Sequence, residues 1–348
     1  MSAVFCAALL AASCESIFEQ ETDCSTKFRF EFRKHRQALQ SVNGKAADVF
    51  DSEVRTVHLF VFDAVTGEPV VEQFATTDRL RTEAELKLGS GTQRSLLPVD
   101  LAPGRYRIVA WCGLDENDGN NAFELSGPGS RAGFGYDACR IRLNAARQPV
   151  NDDKYEAVYH GCVADVTVSG TGQVVPVELT KDTNEIAVWI QHTSATFAEG
   201  DYEVVYTDAN GTMRFDDNSP AGGDRLEYRP HTTSTLTTSM EYNGEMIEAG
   251  ALVAHLSTAR LMAAGRDDAR LEVRDRDGAT LFSIPFIRYL LEMQTFTSDE
   301  QYYLDCEDTY NCSFYLFAGD GGSWMPSMII INNWVKVPDQ SGSIGAED

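Results

Sequence analysis

The 348-residue chain is long enough for two domains of ordinary size, and its 43% hydrophobic content indicates a folded protein. The formal net charge of −24 argues against a nucleic-acid-binding role, because few cations remain to neutralise a run of phosphates. It also disfavours electrostatic docking to an anionic leaflet, so any membrane attachment would come from a lipid.

The first feature along the chain is an apolar run over residues 4–12 that ends in small residues directly before Cys14. The run is far shorter than the roughly 20 apolar residues of a bilayer span. It is typical of a secretory signal that meets a lipoprotein cleavage site. We therefore predict a signal peptide over residues 1–13, cleavage between Ser13 and Cys14, and a lipid on Cys14. The alternative is an apolar N-terminus with a chance cysteine.

Strand patterns begin after a polar tether, which with the lipidated cysteine would span residues 14–26. Phe28, Phe30 and Phe32 alternate with charged residues, a pattern that predicts a half-buried strand. Further β-rich runs follow, separated by turns rich in Gly, Asn and Asp, at residues 54–63, 105–111, 163–168 and 174–179.

The second half of the chain repeats this organisation. Its β-rich runs lie at residues 184–190, 202–207, 270–274, 302–304, 313–317 and 328–337. Residues 284–293 form the single convincing helical stretch, with Pro285 in the first turn. We predict an all-β fold of two tandem Greek-key (transthyretin-like) β-sandwich domains with one short helix in the second. The domains would span residues 27–180 and 184–338, before an acidic tail at 339–348.

Six cysteines remain after Cys6 in the signal and Cys14 are set aside, a number that an oxidising compartment allows to pair. Cys306 and Cys312 flank a five-residue turn between two predicted strands, so we predict a disulfide across that hairpin. Buried thiols remain the alternative for the other four, whose pairing stays open: Cys24, Cys112, Cys139 and Cys162.

The remaining groups of polar and aromatic residues do not predict a catalytic, metal or cofactor site. Residues 115–119 have the composition of a calcium loop without the EF-hand spacing, which favours a solvated acidic loop. The histidines are scattered, and no phosphate loop, dinucleotide fingerprint or nucleophile elbow occurs. We therefore predict no catalytic residue, metal or cofactor. One aromatic set favours cross-strand core pairs over a sugar-stacking platform: Tyr310, Tyr315, Trp324 and Trp334.

Several short motifs occur in a fixed order along the chain. They are Cys14 and Cys24 before an aromatic strand, then Pro-Gly-Arg-Tyr at 103–106, Ala-Trp at 110–111, and the segments 179–186, 257–261, 301–305 and 329–334. Together they resemble the fimbrial anchor lipoprotein family of Bacteroidales, the FimB-like and Mfa-like proteins at the base of type V pili. The resemblance covers nearly all of the chain after Cys14. Cys306 stands where the family usually has Arg, so the predicted link to Cys312 would replace a charged contact.

The resemblance implies a non-enzymatic outer-membrane lipoprotein at the cell surface. It would anchor a fimbria at its base and limit its length, with a stalk subunit as partner and no small-molecule substrate. A protease removes the first strand of stalk subunits, whereas an anchor must keep that strand, so the basic residues 33–36 are expected to stay uncut.

Two alternatives remain open. A carbohydrate-binding β-sandwich surface lipoprotein would expose a row of aromatic rings. A stalk or tip subunit of the same pilus would need a long alternating donor strand at its C-terminus. Pro338 and the polar acidic tail after it lack that pattern, which favours the anchor.

Overall fold

The computed structural model describes residues 25–32, 39–42, 45–48, 50–116, 122–126, 139–143, 150–169, 172–192, 198, 200–215, 225–242, 244–292, 299–318, 324–332 and 334–336. Strands dominate this part of the chain, with three short helices: α1 (Phe50–Glu53), α2 (Phe286–Glu292) and α3 (Glu300–Asp305). None of these described helices has the length and apolar character needed to cross a bilayer. The predicted all-β class is confirmed.

Twelve strands lie in the first half of the described chain. They are β1 (Thr26–Phe32), β2 (Leu39–Val42), β3 (Lys45–Asp48), β4 (Thr56–Asp63), β5 (Pro69–Thr76), β6 (Leu96–Val99), β7 (Gly104–Cys112), β8 (Phe123–Ser126), β9 (Arg140–Leu143), β10 (Val150–Asn151), β11 (Tyr159–Val168) and β12 (Val174–Lys181).

Eleven strands lie in the second half. They are β13 (Thr183–His192), β14 (Tyr202–Asp208), β15 (Thr212–Arg214), β16 (Leu226–Tyr228), β17 (Thr232–Tyr242), β18 (Glu245–Ala259), β19 (Arg270–Asp275), β20 (Thr280–Pro285), β21 (Thr309–Ala318), β22 (Trp324–Ile331) and β23 (Trp334–Lys336). Short 3₁₀ turns at Thr77–Arg79 and Ala263–Gly265 complete the described elements.

A seven-stranded arrangement, in the order β5-β4-β7-β11-β12-β1-β6, forms the N-terminal half. Strand β12 pairs with β11 at one end and, in parallel, with β1 along the rest. The aromatic alternation of β1 acts as predicted: Phe28 and Phe30 are fully buried, whereas Arg29 between them is partly exposed. These rings pack with Phe50 of α1 in a core of their own.

Two sheets face each other in the C-terminal half. One has the order β17-β18-β13-β21-β22-β23 and the other β10-β16-β14-β19-β20. Their inward side chains share one hydrophobic core, in which Val188 and Leu252 come from the first sheet and Val204 and Leu271 from the second. This facing arrangement is the second β-sandwich.

The two halves are joined through strands and through the core. Strands β9 and β10 of the first half pair with β15 and β16 of the second. Phe60 lies edge-on to Phe215 at 4.9 Å between ring centroids. The Trp111 indole nitrogen donates a hydrogen bond to the carbonyl of Phe215 at 3.2 Å. The division at residues 180–184 stays a prediction, and the described contacts cross it extensively.

Local structure differs from the sequence predictions around the helices. Helix α2 begins at Phe286, because Ile284 still pairs with Leu271 in the sheet. Residues 302–304 were predicted as a strand, and this was wrong: they lie in α3. The carboxylate of Asp299 caps that helix by accepting a hydrogen bond from the backbone N–H of Tyr302 at 2.9 Å.

Candidate partner-binding edge

The longest free edge of the larger described sheets is β17. Its 11 residues pair with β18 in unbroken register, from Thr232 opposite His255 to Tyr242 opposite Glu245. The strand is rich in Thr, a β-branched residue that favours extended backbone. The Asn-Gly sequence at 243–244 is a preferred hairpin turn, and Gly244 adopts the left-handed φ of +81° that such turns require.

The middle of β17 is exposed on both faces. Ser234, Thr235, Leu236 and Thr237 are all solvent-exposed. Because successive side chains of a strand point to opposite faces, solvent reaches this stretch from both faces. Met246 on the adjacent β18 is 68% exposed. Solvent therefore also reaches the end of the β17–β18 hairpin near its turn.

The other edges of the three larger sheets carry features that discourage strand addition. Strand β5 begins with Pro69, contains Glu72 and pairs through a bulge. Strand β6 contains Pro98, and β20 ends at Pro285 and runs into α2. Strands β10 and β23 have only two and three residues. By contrast, residues 232–240 of β17 contain no charge, no proline and no bulge.

Acidic residues surround the outer end of this edge. Glu241 is the penultimate residue of β17, and Glu245 and Glu248 lie on the neighbouring strand; all three are exposed. The chain offers an uncharged strip of backbone and hydroxyl groups that ends in a negative tip.

A cleft of about 510 Å³ opens at the inner end of β17, between the two sheets. Thr233, Tyr202, Arg229 and Arg276 line it above a floor that includes Leu252. Burial and the nearby Asp201 raise the pKa of Tyr202, which therefore stays neutral. Both arginines are already paired with carboxylates, as in the 2.9 Å contact from Arg229 to Glu203. The charges of the two arginines at the rim of the cleft are therefore neutralised by these ion pairs.

The structure does not describe the sequence-predicted lipidation site. Ser13, Cys14, Cys24 and the basic segment 33–36 all lie outside the described residues. Their predicted roles stay predictions.

The predicted disulfide between Cys306 and Cys312 is not formed. Cys306 caps the end of α3, where its N–H donates to the carbonyl oxygens of Tyr302 and Tyr303. Cys312 is fully buried in β21, and burial raises the pKa of its thiol. The hairpin that would have joined the two cysteines does not exist, because a helix takes the place of its first strand. The other described cysteines also lie outside any disulfide: Cys112, Cys139 and Cys162.

The remaining predicted features are placed as follows. Asp115 and Glu116 are exposed, and residues 117–119 lie outside the described part. Tyr310 is buried in the core, where its hydroxyl donates to the carbonyl of Leu304 at 3.1 Å. Tyr315 is half-buried. The side chains of Trp324 and Trp334 lie outside the described part. No described aromatic side chain is among the exposed large apolar residues, and no described His, Cys, Asp and Glu residues cluster as metal ligands.

A profile of the family of fimbrillin-A associated anchor proteins Mfa1 and Mfa2 matches residues 20–339. The chain belongs to this family. Members of the Mfa2 family are part of fimbrial assemblies with other fimbrial subunits. The protein is thus a pilus-associated subunit with a fimbrial location at the cell surface, and the predicted family is confirmed.

Solved structures share the fold. A candidate adhesin from Bacteroides thetaiotaomicron has a TM-score of 0.69 and 23% identity, covering 90% of this chain and 97% of that one. A candidate polysaccharide-binding protein from the same organism has a TM-score of 0.68 and 22% identity over 92% and 100%. The fimbrial anchor protein Mfa2 from Porphyromonas gingivalis has a TM-score of 0.61 and 16% identity over 89% and 98%. No curated protein sequence matched.

Sequence reasoning missed the β17 edge. A signal was present, because a Thr- and Ser-rich run over residues 232–239 precedes Asn-Gly at 243–244. The run lacks an apolar face, so periodicity did not mark it as a strand.

Proposed function

We propose that this Mfa2-family protein is an outer-membrane lipoprotein that holds the base of a type V fimbria on the cell surface and limits the length of the fibre. The observation that carries the proposal is the family match over residues 20–339. The role is structural and non-catalytic, and a fimbrial stalk subunit is the partner.

Attachment is assigned to a lipid on Cys14. Several acyl chains on one cysteine exceed the two-signal threshold for stable membrane anchoring. The net charge of −24 supports lipid over electrostatic attachment, because an anionic leaflet would repel the protein. The polar residues after Cys14 would serve as the tether to β1.

Retention of the first strand is the second part of the proposal. Strand β1 pairs with β12 on one side and with β6 on the other, and its Phe28 and Phe30 lie in the N-terminal core. Cleavage at residues 33–36 would separate this strand, and with it the lipid, from the rest of the chain. An anchor therefore keeps residues 15–36 in the assembled fimbria.

The decisive experiment compares Cys14→Ala with Cys6→Ala in cells that make fimbriae. Cys14→Ala should move the protein from the membrane fraction to the soluble fraction and release fimbriae into the medium. Cys6→Ala removes a cysteine within the predicted signal that carries no lipid. It should leave the protein in the membrane fraction and the fimbriae attached to the cells. Peptide mapping of the fimbria-associated protein should recover residues 15–36 as part of the intact chain. A Cys14→Ala protein that remains in membranes would refute the lipid anchor, and a start after residue 36 would indicate a stalk subunit.

The burial of aromatic rings supports this role over carbohydrate binding. Tyr206, Tyr228 and Tyr310 are all buried, so they cannot stack on a sugar.

A further inference from the structure

We propose that β17 binds an extended segment of the adjoining fimbrial subunit, which adds a strand to the six-stranded sheet. The identity of the partner rests on the proposed function, whereas the docking surface rests on the geometry of the edge.

The backbone of β17 can accept a strand along most of its length. In a sheet, an edge strand directs alternate N–H and C=O groups away from its one neighbour. At about 3.3 Å per residue, the 11 residues of β17 span roughly 36 Å. A partner strand of ordinary length, about five or six residues, fits within residues 232–240 without meeting a charge or a proline.

The exposure of both faces fits a docked strand. An added strand places side chains beside those of Thr235 and Thr237 on one face and beside that of Leu236 on the other. The solvent exposure of all three leaves room on each side. The other sheet edges lack this combination of length, exposure and neutrality, so β17 is the edge best suited to strand addition among the larger described sheets.

Charge defines the chemistry of the occupant. The central strip is neutral, so the docked segment should be uncharged and rich in β-branched residues. Glu241, Glu245 and Glu248 at the outer end complement Lys or Arg at one end of that segment. A second copy of this chain is disfavoured as the occupant, because two bodies of net charge −24 repel each other.

A pair of double variants tests the edge. Thr235→Lys with Thr237→Lys places two lysines on exposed positions of β17, the device by which natural edges block strand addition. Val65→Lys with Val70→Lys adds the same charge at exposed positions next to and within the β5 edge, and serves as the matched control. Each variant is produced in fimbriated cells, and its amount in the membrane fraction is checked against the wild type.

The β17 variant should shed fimbriae into the medium at least tenfold more than the control variant, while remaining in the membrane. A photo-crosslinking amino acid at Leu236 should link the protein to the fimbrial stalk subunit, whereas the same group at Val70 should not. Retention of fimbriae by the β17 variant at wild-type levels would overturn the proposal. So would a Leu236 cross-link confined to a second copy, or none at all.

Deletion of the gene separates this inference from the proposed function. If deletion releases the fimbriae but the β17 variant retains them, the edge assignment fails and the anchor stands. If deletion leaves fimbriae attached, the anchoring function itself fails. If the β17 double-lysine variant is missing from the membrane, the edge assignment is tested by the Leu236 cross-link alone. The photo-crosslinking group at Leu236 adds no charge to the strand.

Discussion

Arg260 and Asp305 form a bidentate ion pair that is almost completely shielded from water. Their two hydrogen bonds, Nε to Oδ1 and Nη2 to Oδ2, measure 2.8 and 2.6 Å. The side chains are only 7% and 2% exposed. Gln301 also donates to Asp305 at 3.0 Å. The pair connects the end of β18 to α3 and so fixes the position of that helix against the sandwich.

Replacing one partner of this pair should be costly. Arg260→Met leaves the carboxylate of Asp305 buried without its countercharge, and the free energy of unfolding should fall by about 3–5 kcal/mol. Urea unfolding followed by circular dichroism measures this. Arg288→Met breaks the exposed pair with Asp267 and should cost about 1 kcal/mol or less.

The double variant Arg260→Met with Asp305→Leu completes the test. Removing both charges should recover most of the stability lost by Arg260→Met, because no unpaired charge stays buried. A loss below about 1 kcal/mol for the single variant would mean that water reaches the site.

The same ion pair explains one failure of sequence-based prediction. Tyr302 and Tyr303 favour strands by residue type. In the structure they lie in a helix that is capped locally by Asp299 and held by the ion pair of Asp305 with the distant Arg260. No local pattern reveals the second, tertiary contact. The predicted disulfide at Cys306 failed for the same reason.

Strands with one buried face were predictable, whereas the candidate site was not. The alternation around Phe28 and Phe30 marks β1 because one side of that strand fills the core. The stretch 234–237 has no buried side, so its sequence shows no alternation. A strand whose two faces are both exposed lacks the pattern by which strands are recognised.

Asp208 should make stability depend on pH. Burial raises the pKa of Asp208 to about 6, although hydrogen bonds from the Tyr206 hydroxyl and the Ala209 N–H oppose the shift. The unfolded carboxyl titrates near 3.9. Between these values the native state holds a proton that the unfolded state has lost. The contribution of Asp208 to the free energy of unfolding is therefore fully present below about pH 4 and is lost as the pH rises through about 6. The loss is on the order of 3 kcal/mol.

Asp208→Asn should reduce the decline in the free energy of unfolding between about pH 4 and pH 6. Urea unfolding at pH 4, 5, 6 and 7 would show a smaller decline than in the wild type. Asp277→Asn removes an exposed carboxylate of the second half and should leave the decline intact. An unchanged slope in Asp208→Asn would show that another group is responsible.

The cysteines of the second half should remain thiols. Protein unfolded without reductant should label at both Cys306 and Cys312, and peptide mapping should find no link between them. In the folded protein Cys312 should react far more slowly than Cys306, because it is fully buried and its pKa is raised. A cross-linked peptide containing both residues would contradict the structure and restore the hairpin interpretation.

Coupling between the two halves can be measured through Phe60 and Phe215. Their rings meet edge-on across the predicted boundary, and both are at most 3% exposed. Phe215→Ala should lower the free energy of unfolding by about 3–5 kcal/mol. In a double-mutant cycle, Phe60→Ala and Phe215→Ala should show a coupling of about 0.5–1.5 kcal/mol, as expected for an aromatic pair.

The matched control for this cycle pairs Phe215 with Phe28, which lies in the separate N-terminal core. Those two substitutions should be additive within about 0.5 kcal/mol, because the side chains share no partner. Additivity in the Phe60 cycle would mean that this ring contact adds no stability of its own across the predicted boundary. A coupling in the expected range would show that the contact between these two rings contributes to the stability of the folded protein across the predicted boundary.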